Sequence, residues 1–186
     1  MVGFGIDFGT TNSVVAQYDK AQNLITAFTQ PGNKLPHPSV VWYRANGDVI
    51  AGAQAKKQIS TLDGIEGNRF YTGIKRKLGQ SFANEHFGKE IRTYKIAAEI
   101  FKMLKQDASI NHNTDLKEAT VTIPIGFDGI KRKAIRQAAD LAGIKIHNFI
   151  HEPFAAIMGY LHRPDTQLTL QDIEDEVILV FDWGGG

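Results

Sequence analysis

Residues 94 to 182 alternate between helical and extended patterns, and that alternation limits the architectures open to the chain. Ile96, Ile100 and Leu104 recur every four residues, with Ala97 and Phe101 beside them, which predicts a helix from Tyr94 onward. "ATVTI" (Ala119–Ile123) reads as a strand stopped by Pro124. Asp128 is placed to cap the next helix, whose Ile130, Ala134, Ala138 and Leu141 form one stripe before Gly143 ends it. "KIHNFI" is a further strand, and Pro153 sits where a first helical turn tolerates proline, opening a helix to about Leu161. A polar, acidic connection over 163–175 leads to "VILVFD", which reads as a final buried strand. This order predicts a parallel sheet in an α/β domain.

The upstream half differs. "VGFGID", "SVVAQYD" and "LITAFT" are three short strands with short links, the pattern of an antiparallel meander. "PGNKLPHPS" (Pro31–Ser39) carries three prolines and reads as a loop or boundary. "VVWYR", Asn46-Gly47 and "DVIAG" predict a hairpin with a type I′ turn. "AGAQAKKQI" is a short helix, and residues 62 to 93 are irregular in pattern.

Composition excludes several classes. The 186 residues suffice for one good core or two small ones. Charged residues are 22% with a net charge of +1, so nothing points to nucleic acid or an anionic membrane as partner. The longest apolar run, Phe154–Leu161, falls well short of the roughly 18 residues of a membrane span. No basic n-region opens the chain, so no signal peptide is expected. The absence of cysteine excludes disulfides and thiolate metal sites and suits a reducing compartment, so the cytoplasm is expected. The six histidines show no ligand spacing, no Walker loop occurs, and Gly3, Gly5 and Gly9 are one residue out of register for a dinucleotide fingerprint. "DWGGG" ends the chain inside a glycine turn, which reads as a truncation.

Three carboxylates stand at element ends: Asp7 after "GFGI", Glu152 before Pro153, and Asp182 after "VILVF". Strand ends converge at one edge of an α/β sheet, where ligands bind. Asp7 and Asp182 adjoin the loops "FGTTN" and "WGGG", whose small residues let backbone N–H groups approach phosphate oxygens. Acids beside phosphates make sense with a hard cation such as Mg²⁺ between them, held in part through water. Singly, each has a plainer role: Asp7 as a turn residue, Glu152 as a helix-start acid, the glycines as a linker.

These segments resemble one family. "GIDFGTTNSVVA" resembles the first phosphate loop of the seventy-kilodalton heat-shock chaperones, within the actin and sugar-kinase ATPase superfamily. "ATVTIPIGFDGIKRKAIRQAADLAGIKIHNFIHEPFAAIMGY" resembles that family's connecting segment, and "VILVFDWGGG" its second phosphate loop. The resemblance covers about half the chain in family order. It implies an α/β fold, a ribonuclease-H-like (actin-like ATPase) mixed sheet flanked by helices, with a small inserted α+β subdomain. The expected division is 1–37 and 94–186 for the core of the first ATPase lobe and 38–93 for the insert. It also implies ATP or ADP, Mg²⁺ and K⁺ as cofactors. Gly9, Thr10, Thr11 and Asn12, with Gly184, Gly185 and Gly186, would contact the nucleotide; Asp7, Glu152 and Asp182 would serve the metal. "GIKRKLG" is similar to the family's lysine-bearing stretch, so Lys75 would be catalytic, with Glu152 and Asp182. Pro124 and Arg132 match residues that relay nucleotide state between domains.

Departures are specific. Gly126 stands where the family has a bulky aromatic, Trp183 replaces a smaller aliphatic, and only 18 residues separate Lys75 from Tyr94. The insert is therefore shortened, and exchange-factor contacts do not carry over. The expected function is the first lobe of the ATPase unit of a heat-shock-type chaperone that couples ATP turnover to binding of unfolded polypeptide. A J-domain co-chaperone and a nucleotide exchange factor are the further partners implied. The rivals are a small-molecule (sugar) kinase, a filament-forming actin-like ATPase, and a scaffold that binds nucleotide without hydrolysis. The isolated lobe is expected to turn over little ATP.

Overall fold

The computed structural model describes residues 2–80, 84–86, 89–163 and 165–181. Strand β1 (Val2–Phe8) lies at the centre of a mixed sheet. It pairs antiparallel with β2 (Asn12–Asp19), which pairs antiparallel with β3 (Leu24–Phe28), so the expected meander forms. A two-residue strand β4 (His37–Pro38) lies inside the proline-rich segment expected to be a loop and pairs with Asn12 and Ser13.

Strands β5 (Val40–Tyr43) and β6 (Val49–Ala51) form the expected hairpin, but its turn is not type I′. Gly47 N–H donates to Arg44 O (3.0 Å) and Arg44 N–H to Asp48 O (2.9 Å), and only Gly47 has positive φ. That is a type I turn followed by a glycine bulge, one residue longer than the two-residue loop predicted. Helix α1 (Ala53–Leu62) follows. The segment expected to be irregular holds β7 (Arg69–Thr72), α2 (Ile74–Lys77), β8 (Asn84–His86) and β9 (Lys89–Ile91). β7 completes a second sheet of order β6-β5-β7; its partner residues lie 26 to 32 positions upstream (Tyr43 opposite Arg69, Val40 opposite Thr72), so no local period announces it.

Helix α3 (Thr93–His112) starts and repeats as predicted, with Ile96, Ile100, Phe101 and Leu104 buried. Phe101 stacks on Phe8 of β1 at 5.1 Å between ring centroids. Each such side chain contributes roughly 1.5–3 kcal/mol by leaving water. Strand β10 (Glu118–Ile123) pairs parallel with β1, and β11 (Lys145–His151) parallel with β10. The sheet order is thus β11-β10-β1-β2-β3. Helix α4 (Gly129–Leu141) is capped by Asp128, whose Oδ1 accepts from Lys131 N–H at 2.9 Å. Its predicted stripe is corrected: Ala134 and Ala138 are buried, but Ile130 and Leu141 are 64% and 52% exposed. Ile135 and Ala139 replace them, because the helix turns its alanine-rich side to α3 and so approaches it closely.

Helix α5 (Glu152–Leu161) begins with proline in its first turn, as predicted. The final strand is not found. Residues 177–181 adopt no strand, and Val177 is 100% exposed. Ile178 and Phe181 instead share an apolar groove with Ile157, Tyr160 and Leu161 of α5, so the apolar run meets a helix and not a sheet edge. Asp182 lies outside the described residues.

The two faces of the main sheet are unequal. On β1, Ile6 and Phe8 are buried beneath α3, while Gly3, Gly5 and Asp7 share the opposite face by the two-residue period. A Cβ at Gly3 or Gly5 would meet no atom within 4 Å.

Candidate functional site

The site is built where β1 turns into β2. Asp7 is exposed near the end of the central strand. Thr122 of β10 donates its Oγ1–H to Asp7 Oδ1 at 2.8 Å, across the parallel pairing of the two strands. The hydroxyl fixes the orientation of the carboxylate.

The following turn is tight. A Cβ on Gly9 would lie 2.1 Å from Asn12 O, so any side chain there collides with backbone. Ser39 braces the turn from outside. Its N–H donates to Thr11 O (2.8 Å) and its Oγ–H to Gly9 O (2.9 Å). Having one proton to give, Ser39 Oγ accepts from Ser13 Oγ–H at 2.8 Å. No peptide among the described residues is cis. In a trans peptide the N–H opposes the C=O, so fixing Gly9 C=O toward Ser39 turns the Thr10 N–H away from it.

A second group gathers at α2. Lys75 is only 5% exposed, and its Nζ ion-pairs with Glu152 Oε1 at the start of α5. A buried ammonium needs such a counter-charge. Lys75 Nζ also lies 5.9 Å from the Phe127 ring centroid, and Lys131 Nζ lies 5.3 Å from the same ring. Phe127 closes the turn after β10 by donating its N–H to Pro124 O (3.1 Å), and its own carbonyl accepts from Arg132 Nε (3.0 Å). Pro124, Phe127, Arg132, Lys75 and Glu152 are therefore one connected cluster.

Of the residues singled out from the sequence, Gly9, Thr10, Thr11 and Asn12 form one turn beside Asp7, and Lys75 meets Glu152. Asp182, Gly184, Gly185 and Gly186 lie outside the described residues. Gly126 has open space where a Cβ would go, while the neighbouring Phe127 is buried. Three contributors were missed: Ser39, Thr122 and Phe127. Ser39 and Thr122 are ordinary polar residues whose roles arise from strand register. Phe127 had a signal, as the one aromatic between Pro124 and the cap Asp128.

Metal fit is partial. Among the described residues, no three His, Asp or Glu side chains form a metal-holding group. Asp7 Oδ2 has no protein partner among those residues, which fits a carboxylate that reaches Mg²⁺ through water. The Glu152 carboxylate is committed to Lys75 in this arrangement.

No helix among the described residues is long and apolar enough to cross a membrane. A family model described as "Hsp70 protein" matches residues 3–95 and 83–186. The "Chaperone protein DnaK" of Mycoplasma mycoides subsp. mycoides is 35% identical over 182 residues, covering 98% of this chain and 28% of that protein. The DnaK of Mycoplasma mobile is 36% identical over 185 residues with the same coverage. That of Thermotoga maritima is 33% identical over 183 residues, again 98% of this chain and 28% of the relative. The chain thus spans under a third of the length of the curated relatives it matches. The mixed sheet, the tight Gly9 turn beside Asp7 and these matches lead to one conclusion: the chain belongs to the Hsp70 family.

Proposed function

We propose that this chain supplies one wall of an ATP phosphate site, as the first lobe of the nucleotide-binding unit of a chaperone. The observation that carries the reading is the Lys75–Glu152 ion pair, which joins two residues 77 positions apart that the family resemblance singles out independently. In the whole protein, water would attack the γ-phosphate without a covalent phosphoenzyme. Lys75 would offset charge developing on the phosphoryl oxygens, and Glu152 would hold its ammonium and order the water. Thr10, Thr11 and the amides of the Gly9–Asn12 turn would contact phosphate oxygens, joined by Gly184, Gly185 and Gly186. Asp7, oriented by Thr122, and Asp182 would hold Mg²⁺ through water, with K⁺ nearby. Bound Mg²⁺ would neutralise phosphate charge.

Pro124 and Arg132 would transmit nucleotide state through Phe127, the residue both of them hold and Lys75 touches. We further infer the division into a core of 1–37 and 94–186 and an insert of 38–93, and a cytoplasmic location. Unfolded polypeptide, a J-domain co-chaperone and an exchange factor are the proposed partners of the whole protein. Family membership disfavours the sugar-kinase and filament readings.

The test is ATP turnover by the full-length protein. Lys75→Ala should abolish most hydrolysis while ATP still binds. Unchanged turnover in that variant would overturn the catalytic role of Lys75. Tight, stoichiometric ATP binding to the 186-residue chain in calorimetry would overturn the view that it forms only one wall.

A further inference from the structure

Ser39 is the single residue between β4 and β5, and these two strands belong to different sheets. β4 pairs with the Asn12 and Ser13 end of β2 in the main sheet, while β5 is the central strand of the second sheet. Ser39 is 1% exposed, as is Ser13. Its hydroxyl proton goes to Gly9 O, because a carbonyl can only accept, and its N–H goes to Thr11 O. Burying a hydroxyl asks for one hydrogen bond. Ser39 makes two through Oγ and a third through its N–H, and two of these three hold carbonyls of the Gly9–Asn12 turn.

The other side of Ser39 leads to Lys75. Val40, the next residue, stands opposite Thr72 of β7, and Gly52 N–H donates to Val40 O at 2.9 Å. β5 is therefore held on both sides at its first residue. From Thr72 the chain turns through Gly73, whose φ is +60°, and enters α2, where Lys75 is the second residue. Three residues span at most about 11 Å, so the backbone at Lys75 stays close to the end of β7. Glu152 holds the ammonium tip of Lys75, and the β5–β7 pairing holds its backbone. The Gly9–Asn12 turn belongs to the main sheet and Lys75 follows the second. Ser39 is hydrogen-bonded to the first and covalently continuous with the second.

We propose that Ser39 is a positioning residue for ATP hydrolysis: by tying the Gly9–Asn12 turn to the β5–β7 arm, it sets the spacing between the phosphate-binding amides and Lys75. This rests on the phosphate reading above. A group that holds reacting parts in place acts on rate more than on affinity, since a misplacement of about 1 Å can cost about a hundredfold.

The test uses the full-length protein under single-turnover conditions with ATP and Mg²⁺. Ser39→Val and Ser39→Thr put the same shape at the junction, and only the threonine can donate to Gly9 O. Ser39→Val should slow hydrolysis by roughly tenfold to a hundredfold with ATP affinity nearly unchanged, and Ser39→Thr should keep most of the rate. Combined with Lys75→Ala, Ser39→Val should add little, because no ammonium is left to misplace. An unchanged rate in Ser39→Val, equal losses in the valine and threonine variants, or a loss of affinity alone would overturn the inference and leave the phosphate reading standing. So would a full cost of Ser39→Val retained beside Lys75→Ala. Unchanged turnover in Lys75→Ala would remove the phosphate reading and this inference with it. Hydrogen exchange in the unaltered 186-residue chain needs no variant. The Ser39 and Gly52 amides should open together, with equal protection. A Ser39 amide that exchanges freely beside a protected Gly52 amide would overturn the tie, whether or not the variants fold.

Discussion

Lys75 and Glu152 hold each other across the site, one from a single-turn helix and the other from the first residue of α5. The pair is asymmetric: the ammonium is nearly sealed from water, while the carboxylate keeps partial access. Glu152→Gln strands a buried cation and should cost about 3 kcal/mol. Lys75→Met leaves an acid that water can still reach and should cost less. Urea unfolding of the two variants and the double variant checks the order, and the double should lie well short of the sum.

Gly79 follows α2 with φ +78°, and a Cβ there would come within 3.0 Å of Ile130 Cγ2 and 3.3 Å of Lys131 Cγ on α4. Gly79→Ala should destabilise by roughly 1–2 kcal/mol from the left-handed backbone alone. The added methyl should also push α2 from α4 and loosen Lys75 from Glu152. A lower urea midpoint, with altered shifts at the Glu152 carboxyl carbon, is the expected result.

Asp128 satisfies the Lys131 N–H at the start of α4. Asp128→Ala should cost about 1 kcal/mol, and Asp128→Ser should recover most of it. Thermal unfolding of the three chains checks this.

Burial, followed by Glu99 and then Tyr71, pushes the Tyr43 phenol above its ordinary value near 10. Burial acts in the same direction on Tyr71, with Arg69 opposing it. A raised acid keeps its proton in the folded state. Its contribution is complete below about pH 10 and is lost as pH climbs toward the raised value. Alkaline unfolding should therefore track phenolate absorbance, and Tyr43→Phe should move it to higher pH.

The parts of the fold legible in the sequence are those whose signal is local. Ile96, Ile100 and Leu104 announce α3, and Asp128 with Gly143 brackets α4. Which side of α4 is buried was not local. Ile130 and Leu141 are more apolar than Ala139, yet close approach to α3 selects the small residues. β7 was missed because "RFYT" acquires meaning only against β5. "VILVF" has every mark of a buried strand, but strand character needs an edge to pair with, and α5 meets it instead. At the site, the composition of "GIDFGTTN" suggested a phosphate turn, and the resemblance alone pointed to Lys75. Ser39 and Thr122 could not be foreseen, since their roles depend on which strand lies alongside.

The apolar run that follows α5 without joining a sheet, with Val177 100% and Leu179 89% exposed, has a calorimetric meaning. The chain exposes 11517 Å², whereas a compact monomer of 20.6 kDa is expected to expose about 8,900 Å². Less apolar surface is thus hidden per residue than its length suggests. The heat-capacity increment of unfolding and the urea m-value should both fall below the norm for its length. Its stability curve against temperature should be correspondingly flat, so that warming and cooling alter the folded fraction gently rather than across a sharp threshold.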